Sequence, residues 1–297
     1  MEPFNWHSES TINRHNDTYP YISPQKYIGS LANKIVVVTG AGRGIGRATS
    51  LAFAAAGAHV ICIARTKSDL DAVVHSIAEK GHPKAHAIAG DVTDPSLPPK
   101  LIQETQEIFN KPIDILINNA GISRISTIEH DRDYAIPWHV IDVNMRGAMA
   151  FIHALAPSMI ARKQGTIINV VSVLAASATN PDYFTAYGAA KAGMLKATHI
   201  MDREFREHGI QTYAVHPGMI AETTLGHGAL NLEARDKSPG GAGVCGEVRT
   251  QYAGFAGAGG GYVCGVGGGS GGEVHVGEVC GCDAGSWAGA CGGEEGA

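Results

Sequence analysis

An aliphatic run that breaks into glycines and passes straight into a helical pattern limits what this chain can become. The segment is Val36-Val37-Val38-Thr39-Gly40-Ala41-Gly42-Arg43-Gly44-Ile45-Gly46. Consecutive valines favour a strand covered on both faces, because β-branched side chains pack well on a pleat and no polar residue marks a wet face. The glycines allow a sharp turn and close backbone approach. The helix after them offers free amides and the positive end of its dipole. Strand, glycine turn and helix in that order form a cradle for a pyrophosphate. The spacing is T-G-x-x-x-G-x-G, at Thr39, Gly40, Gly44 and Gly46; it departs from G-x-G-x-x-G because Ile45 stands where the third glycine would fall.

The same alternation continues downstream. Short, mostly continuous apolar runs at residues 34–39, 59–64, 84–89, 113–118, 166–171 and 210–216 read as strands. Helical patterns fill the gaps at 44–56, 69–80, 96–109, around 138–162, and 185–207. On the last of these, Ala190, Met194, Ala197, Met201 and Phe205 make an apolar stripe at helical spacing. The prediction is an α/β chain with one doubly wound parallel sheet flanked by helices.

The end of the second strand bears on which dinucleotide the cradle would take. An acid about twenty residues past the glycines would meet the ribose hydroxyls of NAD. Here Ala64-Arg65 occupies that place. A carboxylate would repel a 2′-phosphate, whereas Arg65 can meet it with a charge-assisted fork, and Arg43 is a second cation within reach. The alternative for either arginine is a solvated surface cation. Two cations and no acid favour NADP(H).

Tyr187-Gly188-Ala189-Ala190-Lys191 puts a phenol and an ammonium on one helix face. A nearby cation favours the phenolate and would bring the Tyr187 phenol toward working pH as a proton donor and acceptor. Asn118-Asn119-Ala120-Gly121 closes the fourth strand, Asn144 lies in the long helix after it with Trp138 just before, and Ser172 ends the fifth strand. His216-Pro217-Gly218 ends the sixth, with Thr223 just beyond.

With these motifs in this order, the chain resembles the short-chain dehydrogenase/reductase family from about residue 31 to 230, a Rossmann-type fold. The resemblance implies an NADP(H)-dependent oxidoreductase acting on the ketone or secondary alcohol of a small molecule, as a carbonyl reductase does. It implies Tyr187 as general acid/base, Ser172 as the hydroxyl that orients the substrate oxygen, Lys191 as a holder of the ribose hydroxyls, and Asn144 as the anchor of a relay water. Gly40, Arg43, Ile45, Gly46, Arg65, Asp91, Val92, Asn118, Ala120, Gly121, Ile220 and Thr223 match cofactor-lining positions, together with Tyr187 and Lys191. Asp91 would meet the adenine edge; the other reading of it is a loop acid capping the next turn. The family also implies a homo-oligomer formed through the helices holding Asn144 and Tyr187.

Two features depart from the family pattern. Fourteen residues separate Ser172 from Tyr187 where the family has twelve, and Ser172 is kept because the strand before it fixes the alignment while the loop absorbs the extra length. Ser177 is the rejected candidate, being too close to the tyrosine. The family's last helix and strand, with their Thr-Gly and Asp-Gly-Gly signatures, have no counterpart here. Instead the 58 residues from Gly240 onward hold 22 of the chain's 39 glycines. Such a segment buries too little apolar area to offset its chain entropy and reads as mostly disordered, with one weak strand pattern at 273–279. It looks like the product of a shifted reading frame or a misjoined exon. The expected division is a polar extension at 1–30, a catalytic domain at 31–232 and a glycine-rich tail at 233–297.

Composition excludes several other classes. A net charge of −5 without clustered Lys or Arg gives no footprint for nucleic acid or an anionic membrane. No apolar run at the amino end has the length of a signal peptide or membrane span, which places the chain in the cytoplasm. Five of the six cysteines lie in the tail, which argues against a disulfide framework. Cys280, Cys282, Cys291 and His275 lack the paired spacing of a metal site, so no metal is expected. A lyase or epimerase on the same scaffold, or an inactive product that at most binds cofactor, are the competing readings.

Overall fold

The computed structural model describes residues 23–124, 126–176 and 183–217, and the backbone of three short strands in the tail. The sheet consists of β1 (Ile35–Thr39), β2 (His59–Ala64), β3 (Ala85–Ala89), β4 (Ile115–Asn118), β5 (Gly165–Val170) and β6 (Ile210–Val215). Its order is β3-β2-β1-β4-β5-β6, and every pairing is parallel. The chain winds outward from β1 to β3 and returns to start again at β4 beside β1. The loops after β1 and β4 therefore part company there and leave a crevice at the carboxyl ends of the strands.

Helices α1 (Gly44–Ala55), α2 (Lys67–Glu79), α3 (Leu97–Phe109), α4 (Ala135–Ile141), α5 (Ala148–Arg162) and α6 (Thr185–Arg206) cover both faces. Alternate residues of the same strands feed two separate cores. Val36, Val38, Val60 and Cys62 pack with Phe53 of α1 and with Leu70, Val73 and Ile77 of α2. Ile35, Val37, Leu116 and Ile167 pack with Leu101 of α3, Phe151 and Met159 of α5, and Met194 and Met201 of α6. A strand with apolar residues on both sides is what a two-faced sheet demands, and β1 is buried along its whole length.

The predicted strands fall within two residues of those observed, and β2 matches at both ends. The long helix expected around 138–162 differs more. It begins at Ala135 and is interrupted by a π-helical turn over Asp142–Gly147. Apolar periodicity cannot report such a turn, because a single wide turn shifts the stripe by only one residue. At the amino end, Pro24–Tyr27 form a 3-10 turn, and the Leu31 amide donates to Ala56 O at 2.9 Å. Gly29, within the expected 1–30 extension, packs on the turn after α1, where a Cβ on Gly57 would lie 3.2 Å from its Cα.

In the tail, β7 (Phe255–Ala256), β8 (Gly261–Val263) and β9 (Val279–Gly281) pair antiparallel. Of the strand pattern read at 273–279, Val279 opens β9, and residues 273–278 lie outside the described residues. The remainder of the tail, with the disorder expected of it, lies outside the described residues. Among the described residues no helix is long and apolar enough to cross a membrane.

Phe151 is fully buried at the centre of the larger core. Phe151→Ala should cost about 3–5 kcal/mol of unfolding free energy, seen as a lower urea midpoint with an unchanged slope.

Candidate active site

The glycine turn is fixed by contacts that exclude any side chain. Gly40 has φ +67°, and a Cβ there would lie 2.9 Å from both Ala120 Cα and Asn119 Nδ2. A Cβ on Gly46 would come within 2.1 Å of Gly40 O, so α1 can start this close to β1 only with glycine at that position. Arg43 caps α1 in an extended conformation and makes no side-chain capping bond, and the first helical turn contains no acid. The free amides of that turn and the positive end of the helix suit an anionic oxygen. On these grounds the residues present fit the phosphates of a dinucleotide.

One hydroxyl joins this turn to the loop after β4. Thr39 Oγ1 accepts from the amides of Asn119 and Ala120, each at 3.0 Å, and donates to Ile117 O at 3.3 Å. Asn119 reciprocates, its Nδ2 donating to Thr39 O at 2.8 Å. Gly40, Asn118, Ala120 and Gly121 thus form one rigid floor. Neither Thr39 nor Asn119 stood out as a site residue in the sequence. Their signal was a polar residue ending each of two otherwise apolar strands.

Arg43 and Arg65 are both exposed, which suits a 2′-phosphate contact and a solvated surface cation alike. Against the opposing pull of burial, the Asp91 carboxyl is held below the ordinary range chiefly by its bonds from Thr93, with smaller help from the charges of Arg65 and His139. Asp91 Oδ1 accepts from the Thr93 amide at 2.9 Å and from its hydroxyl at 2.8 Å. The capping role is thus present, and the carboxylate's second oxygen is left for another partner. Val92 is buried beside Gly147.

Asn144 sits in the π-helical turn, which frees its side chain to reach back across the site. Its Nδ2 donates to Ile122 O at 2.6 Å and to Val140 O at 2.8 Å. These two bonds aim Oδ1 toward Gly121, where a Cβ would meet it at 2.6 Å; this buried oxygen has no protein partner. The same point above Gly121 is 3.5 Å from Lys191 Nζ. Asn144 and Lys191 therefore converge on the floor from two helices.

Ser172 extends beyond β5 and caps the 3-10 turn Val173–Ala175, accepting from the Leu174 amide at 3.3 Å. Its hydroxyl lies close enough to the Tyr187 phenol to favour the ionised form, so the longer spacing does not separate the two groups. Ser177 falls outside the described residues, as do Ile220 and Thr223. Lys191 is buried in α6, with Nζ donating to Val170 O at 2.7 Å and lying 5.7 Å from the Tyr187 ring centre.

The electrostatics differ from the sequence expectation. Burial pushes the Tyr187 phenol above its ordinary value, and only the nearby Ser172 hydroxyl pulls it back. Lys191, buried with no carboxylate partner among the described residues, is itself pushed down to about 8. Desolvation dominates at both groups, since each lies out of water and is held toward its neutral form. Among the described residues no group of three or more potential metal ligands occurs; the side chains of His275, Cys280, Cys282 and Cys291 lie outside them.

Lys191 yields a prediction with a definite sign. Its value falls from 10.5 to about 8 on folding, so between those pH values the unfolded chain binds more protons and stability rises with pH. Below about pH 8 the full penalty of the buried ammonium applies, up to about 3 kcal/mol. Lys191→Met should therefore melt higher than the parent at pH 7, and the gap between the two melting curves should narrow as pH climbs toward 10.5. A gap independent of pH would contradict the buried ammonium.

Comparison with known proteins places this geometry. The short chain dehydrogenase family model matches residues 34–231. A short chain dehydrogenase of Pseudocercospora fijiensis is 38% identical over 212 residues, covering 71% of this chain and 67% of that protein. A 3-oxoacyl acyl-carrier-protein reductase of Synechocystis is 38% identical over 194 residues, covering 65% of this chain and 76% of that protein. Among solved structures, a metagenomic short-chain oxidoreductase in complex with NADP superposes with a TM-score of 0.59 at 32% identity, covering 64% of this chain and 85% of that one. With a family match over about two thirds of its length, and a relative 38% identical over 212 residues, this chain belongs to the short-chain dehydrogenase family.

Proposed function

We propose that the protein transfers hydride between NADP(H) and a ketone or secondary alcohol of a small molecule, with Tyr187 as the proton donor and acceptor. One observation carries this reading: the Tyr187 phenol meets the Ser172 hydroxyl while the Lys191 ammonium is buried alongside, at the carboxyl end of β5 and above the glycine floor. The catalytic unit in this reading is residues 31–232, working in the cytoplasm.

Gly40, Arg43, Ile45, Gly46, Arg65, Asp91, Val92, Asn118, Ala120 and Gly121 would hold the nicotinamide cofactor, with Tyr187 and Lys191 at its reactive end and Ile220 and Thr223 completing the set. When bound, it supplies hydride to a carbonyl carbon or accepts one from an alcohol. Ser172 orients the substrate oxygen by hydrogen bonding. Tyr187 gives its phenolic proton to that oxygen as negative charge develops on it, and takes a proton back in the reverse direction. Lys191 keeps a positive charge within reach of the phenolate that remains, which lowers the cost of forming it. Asn144 Oδ1 accepts from a water that returns the proton. That assignment draws on the oxygen being buried and free of protein partners.

NADP(H) over NAD(H) is supported by the exposed cations at 43 and 65, by the absence of an acid at the end of β2, and by the solved relative's NADP complex. The keto group is supported by the name of the Synechocystis relative, a 3-oxoacyl reductase. A homo-oligomer through α4 to α6 belongs to the same reading, with Tyr134 and Trp138 exposed on or beside α4; sedimentation of the purified chain measures it.

Two outcomes test the assignment. NADPH oxidation with a panel of ethyl acetoacetate, acetophenone and diacetyl should fall by roughly 10²–10⁴ in Tyr187→Phe, with NADPH affinity nearly unchanged. Retained turnover without the phenol would overturn the role given to it. Arg65→Glu should reverse the cofactor preference, weakening NADPH far more than NADH. Equal loss of both would show that Arg65 does not read the 2′-phosphate.

A further inference from the structure

α6 carries the two groups of the proposed chemistry on a face that has little to fix its position along the helix axis. Its buried residues are Tyr187, Ala190, Lys191, Met194, Thr198, Met201 and Asp202. The apolar ones are an alanine and two methionines. Methionine fills irregular space well and specifies register poorly, because its unbranched chain readjusts to small displacements. A slide of one residue along the axis is only about 1.5 Å, yet such a displacement would separate Tyr187 from Ser172.

Beyond Tyr187 and Lys191, the directional bonds from the sheet to that face gather at Thr198, whose carbonyl also accepts from Thr212 Oγ1 at 3.5 Å. Asn118 and Asn169 are register partners at the ends of β4 and β5, and Asn118 Nδ2 donates to Asn169 Oδ1 at 2.9 Å. Asn169 Nδ2 donates to Thr198 Oγ1 at 2.9 Å, and Thr198 Oγ1 donates its one proton to Met194 O at 2.6 Å. All three side chains are buried. Each amide and hydroxyl can play only one role in this chain of bonds, so its polarity is fixed. Thr198 lies two helical turns beyond Lys191, whose Nζ binds the carbonyl of Val170, the residue next to Asn169. β5 therefore grips α6 at two heights, once through the catalytic machinery and once through a pair with no chemical duty.

We propose that Asn169 and Thr198 are positioning residues, whose buried side-chain bond sets the axial register of α6 against β5 so that Tyr187 meets Ser172. The proposal rests on the function proposed above for that pair. Asn169 touches the floor residue Asn118, whereas Thr198 reaches the Tyr187–Ser172 pair only through the helix.

The experiment compares full-length Thr198→Val, which keeps the shape and loses the hydroxyl, with Thr198→Ser, which keeps the hydroxyl. Ketone reduction by Thr198→Val should fall at least tenfold in kcat, with KM for NADPH within twofold of the parent, and Thr198→Ser should recover to within threefold. Ultraviolet titration of the phenol, with Tyr187→Phe as the subtracted background, should show Tyr187 titrating higher in Thr198→Val and unchanged in Thr198→Ser. That direction follows because the lost Ser172 contact is the one that pulls it down. Asn169→Ala should resemble Thr198→Val, and the double variant should be no worse than either single one. If Thr198→Val does not fold, Thr198→Ala against Thr198→Ser isolates the hydroxyl, since both lack the methyl group. A folded Thr198→Val with parental kcat and parental Tyr187 titration overturns the proposal. A loss that Thr198→Ser fails to rescue overturns it as well, since it reduces the residue to a packing role. If the parent reduces none of the three ketones, the functional reading fails, while the phenol titration still decides the positioning claim.

Discussion

The Thr39 hydroxyl receives two backbone amides from the loop after β4 and passes its own proton back to that strand, while the amide of Asn119 holds the carbonyl of Thr39 in return. The shape of the site depends on this exchange. It ties the end of β1 to the end of β4, at the place where the winding of the sheet reverses and the two loops would otherwise diverge. The glycines then serve a geometric requirement. Gly40 turns where Ala120 leaves no space, and Gly46 lets α1 begin against the carbonyl of Gly40.

Above this floor the dominant energetic fact is desolvation. Lys191 is enclosed by protein and hydrogen-bonds to a carbonyl, and no carboxylate among the described residues pairs with it. Tyr187 is enclosed too, and both groups are pushed toward their neutral forms. A cation that costs free energy to bury and a phenol that resists ionising are poorly matched to a stable resting protein. They are well matched to a reaction in which negative charge develops on an oxygen between them. The fold tolerates the arrangement because the two cores around it are large and almost entirely aliphatic.

Much of this was legible in the chain. The strands announced themselves because a sheet covered on both faces needs uninterrupted apolar runs, and the glycine turn because a close helix start admits no other residue at Gly46. Ser172 could be placed despite the altered spacing because β5 fixes where it emerges. Three things were not legible. The π-helical turn that aims Asn144 leaves no periodic trace. Asn169 and Thr198 read as ordinary polar residues, because their significance is a contact between elements 29 residues apart. The direction of the Tyr187 shift depends on how much water reaches the phenol, which spacing cannot report.

The sheet is two three-stranded halves that touch only along β1 and β4, through Val36, Val37 and Val38 against Ile115, Leu116 and Ile117. That seam runs directly beneath the crevice. A molecule spanning the crevice therefore fastens both halves at once, and its binding energy adds to their docking. Occupancy and cohesion of the domain become a single thermodynamic quantity, and a cell with ample cofactor would keep more of this protein whole.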